Sequence, residues 1–176
     1  MNINPLKYTS AQEKTYGIAG MAITLVATDS HELLREIRLD NPAGNNMIMS
    51  HDFGLTGNPR MSAKILWNQS LSDLKTSVAM ALGNIVCRRY VLSRTRVSDE
   101  DLSELHRVVR EEALSSCSLD NDEADRLFNS CYNYSQRLFG HQGVQNATHS
   151  FCRQLEERRT LSQGEVLEIL ARLGLH

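Results

Sequence analysis

Residues 17–27 read GIAGMAITLVA, a stretch with one polar side chain and two glycines three apart. A membrane span, a buried strand, a phosphate-binding glycine turn and the core of a helix can all look like this. The flanking residues choose between them. Ser10 followed by Glu13 has the spacing of a capping box: the hydroxyl accepts the backbone N–H three residues on, and the carboxylate reaches back to the cap. A helix therefore starts near Ala11 and carries the stretch. Lys14 and Asp29 bracket 14 residues, fewer than the roughly 20 a bilayer crossing needs. A dinucleotide fingerprint needs G-x-G-x-x-G after a strand, and Gly17 and Gly20 have neither. Each glycine weakens a helix by about 1 kcal/mol relative to alanine. In return, Gly17, Ala19, Gly20 and Ala22 let a second helix approach closely, and the expected partner is the helix over 71–92.

Helical periodicity recurs down the chain. SHELLREIRLD (30–40) continues it with Leu33, Leu34 and Ile37, either as a second helix capped by Asp29 or Ser30 or as an extension of the first. NPAGNN (41–46) is loop chemistry, and the loop is expected to run over about 41–58, with Met47, Ile48, Met49, Phe53 and Leu55 packing part of it down. Asn58-Pro59 reopens helix as cap and first helical residue. Leu71, Leu74, Val78, Ala81, Leu82 and Ile85 then form one stripe, with Met80, Cys87 and Val91 on other faces. A helix apolar on several sides is a central one. Its length, 59–94, suggests a break near Gln69-Ser70 or Gly83-Asn84.

Four more helices follow. Ser98 caps one, with Asp99, Glu100 and Asp101 complementing the helix dipole and Leu102, Leu105, Val109 and Ala113 as its stripe. The next faces Leu127, Cys131, Tyr134 and Leu138 inward and stops at Gly140. Val144, Ala147, Phe151 and Leu155 mark another. The last has a capping box, Ser162 with Glu165, an apolar set of Val166, Leu167, Leu170 and Leu173, and Gly174 as its end. No stretch alternates with period two and no long repeat is present. The expectation is an all-α, single-domain bundle of six to seven helices over 1–176, with 1–9 as a flexible lead-in.

Composition agrees with a globular chain: 41% apolar, 23% charged and a net charge of −2 over 176 residues, enough length to bury a core without disulfides or metals. The charge is uneven. Up to Val97 there are 11 Lys/Arg against 7 Asp/Glu, a net +4; from Ser98 there are 8 against 14, a net −6. Cys87, Cys117, Cys131 and Cys152 include no C-x-x-C pair, so no zinc site is indicated. MNINPLKYTSAQEK lacks the basic-then-apolar pattern of a signal peptide. Together these predict reduced, buried thiols, a cytoplasmic location, no membrane insertion and no cofactor.

Three segments carry candidate chemistry. GLTGNPRMSAK (54–64) sets Gly54 and Gly57 before a helix N-terminus whose free N–H groups attract anions, with Arg60 and Lys64 adding charge and His51-Asp52 as a nearby acid–base pair. It lacks the G-K-[ST] of a P-loop and is also an ordinary glycine connector. CRRYVLSRTR (87–96) gathers Arg88, Arg89, Tyr90, Arg94 and Arg96, a mixture suited to phosphates and stacked bases. Against that, SDED follows immediately, and the arginines can instead pair with that acidic turn or with Glu111 and Glu112. Cys87 beside Arg88 and Arg89 has the positive surroundings that favour a thiolate, although a buried small residue on a central helix is the simpler account.

No Glu-x-x-His, H-E-x-x-H or G-x-S-x-G occurs, so metal and nucleophilic chemistry have no motif. What remains favours a non-enzymatic helical interaction or regulatory module, self-associating or bound to a protein partner. The alternatives are a nucleic-acid-binding protein using Arg88–Arg96, and a helical enzyme or small-ligand binder using the 47–60 loop.

Overall fold

A computed structural model describes residues 5–41, 45–50 and 63–175, with side chains throughout except at 63–66. Six α-helices dominate: α1 (Ala11–Ala27), α2 (Ala63–Cys87), α3 (Asp99–Cys117), α4 (Asn121–Gly140), α5 (Gln142–Arg158) and α6 (Gln163–Arg172). The fold is thus mostly α, as expected. It also holds a small sheet that the periodicity did not reveal: β1 (Leu34–Arg38), β2 (Met47–Met49) and β3 (Thr160–Ser162), in the order β2-β1-β3 with both pairings antiparallel. Among the described residues no helix is long and apolar enough to cross a membrane.

GIAGMAITLVA lies in α1, and α1 is the most enclosed element. From Thr15 to Val26 every residue except Met21 is buried. Its neighbours are α2, α5, α6 and the segment after α2, so a helix apolar all round has partners all round. The glycines face α2. A Cβ on Gly20 would collide with the Gly83 carbonyl and lie 2.6 Å from the Cys87 Cβ; one on Gly83 would run into the Thr24 hydroxyl; one on Gly17 would lie 2.6 Å from the Tyr8 ring and 2.8 Å from the Asn84 amide. Here the missing side chains are what allows the two backbones to approach.

The capping box at the start of α1 is displaced by one residue. Ser10 accepts the Glu13 N–H at 3.1 Å as expected. The Glu13 carboxylate, however, goes to the backbone N–H and hydroxyl of Thr9, both at 2.8 Å, rather than to Ser10. That shift leaves the carboxylate aimed at the arginines after α2.

The stretch 30–40 corrects the helical expectation. After α1 ends, Asp29 turns left-handed (φ 53), His31–Leu33 form a single 3-10 turn, and β1 follows. Leu34 and Ile37 are 1% and 0% exposed although three apart, a spacing that suits a helix face and not a regular strand. A bulge reconciles them: Leu34 pairs with Met49 and Glu36 with Ile48, so β1 spends an extra residue there, which returns Ile37 to the buried face. The expected loop over 41–58 is likewise part strand, since β2 occupies 47–49 and docks Met47 into the core. β3 runs straight into α6, with Ser162 serving as strand end and as cap of an intact capping box with Glu165.

Elsewhere the stripes hold with one rotation. Leu105, Val109 and Ala113 of α3 and Val144, Ala147, Phe151 and Leu155 of α5 are buried as expected. In α4 the buried line is Ala124, Phe128, Ser135 and Phe139, whereas Leu127, Cys131 and Leu138 flank it. No break occurs in α2 at Gln69-Ser70 or Gly83-Asn84; instead the helix widens into a π-helical segment, Arg88–Ser93, ending at Arg94 in the left-handed region (φ 56). Residues 5–9 are not a free lead-in: their carbonyls and Tyr8 pack on Arg88 and Asn84.

Candidate anion-binding groove

The π-helical segment divides the four arginines of CRRYVLSRTR. Arg88 continues the inner face of α2 and is 1% exposed. Its guanidinium donates to the carbonyls of Pro5 (2.9 Å) and Lys7 (3.0 Å), to the Glu13 carboxylate (3.2 Å) and to the Asn84 side-chain oxygen (3.3 Å). It also lies 5.2 Å from the centre of the Tyr8 ring, and Asn84 donates to the Tyr8 hydroxyl at 2.8 Å. Only Nε lacks a partner. Arg89, half-buried, bridges Glu13 (3.5 Å) and Asp101 (3.4 Å). Burial alone would raise the Glu13 carboxyl, but the Thr9 hydrogen bonds and the Arg88 charge outweigh it and hold the group below the usual glutamate value. The expected ion-pair network is present, through Glu13 and Asp101; Glu111 pairs with Arg107 instead. Arg88 and Arg89 are internal struts and do not face a ligand.

Arg94 and Arg96 lie past the π-helical segment and are exposed. Together with Tyr90, Thr95 and Gln145 they line an open groove of about 450 Å³. Arg94 donates to the Gln145 side-chain oxygen at 2.9 Å, and the Gln145 amide donates to the Phe139 carbonyl at 2.8 Å. A cation is thus fixed in place by a neutral amide that the end of α4 holds. Among the described residues, neither Arg94 nor Arg96 forms an ion pair. Tyr90 is anchored from α4, with Gln136 donating to its hydroxyl at 2.8 Å and Tyr132 hydrogen-bonded beside it.

One more cation, Arg153, lies along α5. Gln145, His149 and Arg153 are spaced four apart on one helix face, and both Arg94 and Arg153 act on His149. Burial first, then those two charges, hold the imidazole below its ordinary value of 6.5. The Tyr16 hydroxyl, which burial pushes up to about 12, meets His149 Nδ1 at 2.6 Å. A phenol that keeps its proton donates, so Nδ1 accepts and the neutral ring carries its proton on Nε2.

Two further features lack ligand-binding geometry. Asp125 takes a two-pronged hydrogen bond from Arg110 (2.6 and 2.5 Å) and another from His106 (2.7 Å). The Arg110 bond foremost brings its carboxyl down to about 2, so it pins α3 to α4. Cys87 is wholly buried, and burial lifts its thiol far above the ordinary range despite Arg88; it is the packed small residue, not a thiolate. Among the described residues no His, Cys, Asp and Glu group could hold a metal.

Of the other candidates, His51, Asp52, Gly54, Gly57 and Arg60 lie outside the described residues, and Lys64 is described only as backbone of α2. The residues missed by sequence reading are Thr95, Gln145, Arg153 and Tyr16. Gln145, His149 and Arg153 had the one available signal, a polar line at helical spacing beside the apolar stripe of α5. The chain matches no family model, no curated protein and no solved structure.

Proposed function

We propose that this chain is a non-enzymatic helical binding module that engages an anionic partner at the groove of Tyr90, Arg94, Thr95, Arg96 and Gln145. One observation carries the proposal: Arg94 is held by a neutral amide, while among the described residues its charge has no carboxylate partner. A guanidinium kept in position and left unneutralised suits recognition of phosphate or carboxylate oxygens. The π-helical segment that presents it is a rare element, and such bulges occur frequently at functional sites. The left-handed backbone of Arg94 adds to this, since a side chain there costs about 1–2 kcal/mol that glycine would avoid.

Self-association through α1 has no support in this arrangement, because α2 already fills the small-residue face of that helix. Free cysteines, three of them buried, are in keeping with the expected reducing, cytoplasmic location. Calorimetric titration with inorganic pyrophosphate tests the proposal. The expected result is saturable binding that weakens with added salt and is lost in the Arg94→Ala/Arg96→Ala variant. Absence of binding, or unchanged binding by that variant, overturns it.

A further inference from the structure

Building on the groove as an anion site, we infer that its ligand is single-stranded nucleic acid. The phosphates run from Arg96 and Arg94 along α5 past His149 to Arg153, and a base stacks on Tyr90.

Two features beyond the arginine pair point to this class. The first is extent. Gln145 to Arg153 is eight residue steps along α5, about 12 Å at the helical rise, and Arg94 and Arg96 lengthen the track at the Gln145 end. Arg94, held at Gln145, and Arg153 mark the two ends of that line, farther apart than a single phosphate reaches, whereas a phosphodiester strand places successive charges along it. The track stops at Glu156, on the same face one turn beyond Arg153 and close enough to act on Tyr16, so the strand has a defined end.

The second feature is Tyr90. Cations alone would serve an acidic peptide equally well. An aromatic ring in the groove wall, held by its hydroxyl from Gln136 and Tyr132 and so pre-positioned, gives a platform that bases use and that Asp and Glu side chains do not. Arg94 and Arg96 beside it supply the phosphate contacts that such platforms accompany. Thr95 adds a neutral hydrogen-bonding group, Gln145 is engaged by Arg94 and the Phe139 carbonyl, and the described lining holds no base-reading pair, which predicts weak sequence preference. The side chains of the segment divide their roles cleanly: Arg88 and Arg89 are consumed by Glu13 and Asp101, leaving Tyr90, Arg94 and Arg96 for the ligand.

The test uses the intact protein and three fluorescent ligands of matched charge in anisotropy titrations: a twelve-residue oligothymidylate, an abasic deoxyribose-phosphate strand of the same length, and polyglutamate. Oligothymidylate should bind about tenfold or more tightly than the abasic strand, as base–aromatic stacking implies. Tyr90→Leu should bring the two together, and Tyr90→Phe should keep them apart. The salt slope of oligothymidylate binding should fall by about 1.4 in Arg94→Ala/Arg96→Ala, at roughly 0.7 per phosphate contact on a single strand. Equal binding of the abasic strand overturns the nucleic-acid assignment and leaves the anion site standing, and so does polyglutamate binding as tight as oligothymidylate. The ligand comparison needs no variant, so it decides the question even where Tyr90→Leu fails to fold. If none of the three ligands binds, and pyrophosphate does not either, the anion site itself is refuted.

Discussion

Arg88 and Arg89, which open the π-helical segment, and Arg94 and Arg96, which follow it, are the same residue type within ten positions and have opposite fates. The first pair is turned inward, where Glu13, Asp101 and the backbone of residues 5–7 absorb every charge. The second pair is exposed: Arg94 is held by a neutral amide, and among the described residues neither arginine forms an ion pair. The difference is set by backbone geometry. An α-helix continued past Cys87 would keep cycling its side chains through the core face; the wider turns and the left-handed Arg94 carry the chain off that face instead. A run of arginines is therefore not one functional unit, and its charge cannot be assigned without knowing where the helix ends.

That contrast can be broken by substitution, beginning where the largest effect is expected. Arg88→Met should cost about 3–5 kcal/mol in chemical denaturation, because it breaks the buried pair with Glu13, leaving that carboxylate to Thr9 and Arg89, and takes the donor from the Pro5 and Lys7 carbonyls. Glu13→Gln keeps the shape but removes the charge that faces both inner arginines, and should cost about 2 kcal/mol. Arg89→Ala, partly exposed, should cost no more than about 1 kcal/mol. Arg94→Ala/Arg96→Ala should lie within about 0.5 kcal/mol of the parent protein. Arg94→Gly goes further: it relieves the left-handed strain, so stability should hold or rise by up to about 1 kcal/mol while anion binding drops. If the outer pair proved as costly to remove as Arg88, the division would collapse.

Acid should weaken the fold through both regions and strengthen binding at one of them. Glu13 is held below its ordinary value, so its contribution is complete above that value and disappears as pH falls through the lower, folded one. His149 is also held low, so the unfolded chain takes up its proton first. Stability therefore declines as pH drops below 6.5, and earlier than the Glu13 loss. The Tyr16 phenol and the Arg94 and Arg153 charges are the groups around that imidazole. Binding moves the other way: once pH falls through the lower, folded value, a proton on His149 adds charge beside the arginines, so anion affinity should rise there. His149→Gln should remove both of these changes below pH 6.5, as read by thermal melts and by titration with the oligothymidylate, whose phosphodiesters stay ionised throughout.

Most of the helical frame could be read from the chain because its signals are local. The caps at Ser10, Ser98 and Ser162 and the glycines of α1 identify elements and even the pairing of α1 with α2, since a missing Cβ has few other uses there. The sheet could not be read in this way. Leu34 and Ile37 sit at a helical spacing, and only pairing with Met47–Met49 and Thr160–Ser162, the latter over 120 positions away in sequence, makes a bulged strand of them. In the groove, Arg94 and Arg96 were visible as charges. Their separation from Arg88 and Arg89 was not, because a π-helical segment has no local signature, and the partners that divide them, Glu13 and Gln145, come from distant helices.

The claim at the centre of this account is that the inner arginines build the fold and the outer ones hold a ligand. It is tested most directly by the binding isotherm of the Arg94→Ala/Arg96→Ala protein with the twelve-residue oligothymidylate, at a salt concentration where the parent protein saturates. The account predicts that the folded variant no longer saturates. A variant isotherm that overlays the parent curve would contradict it.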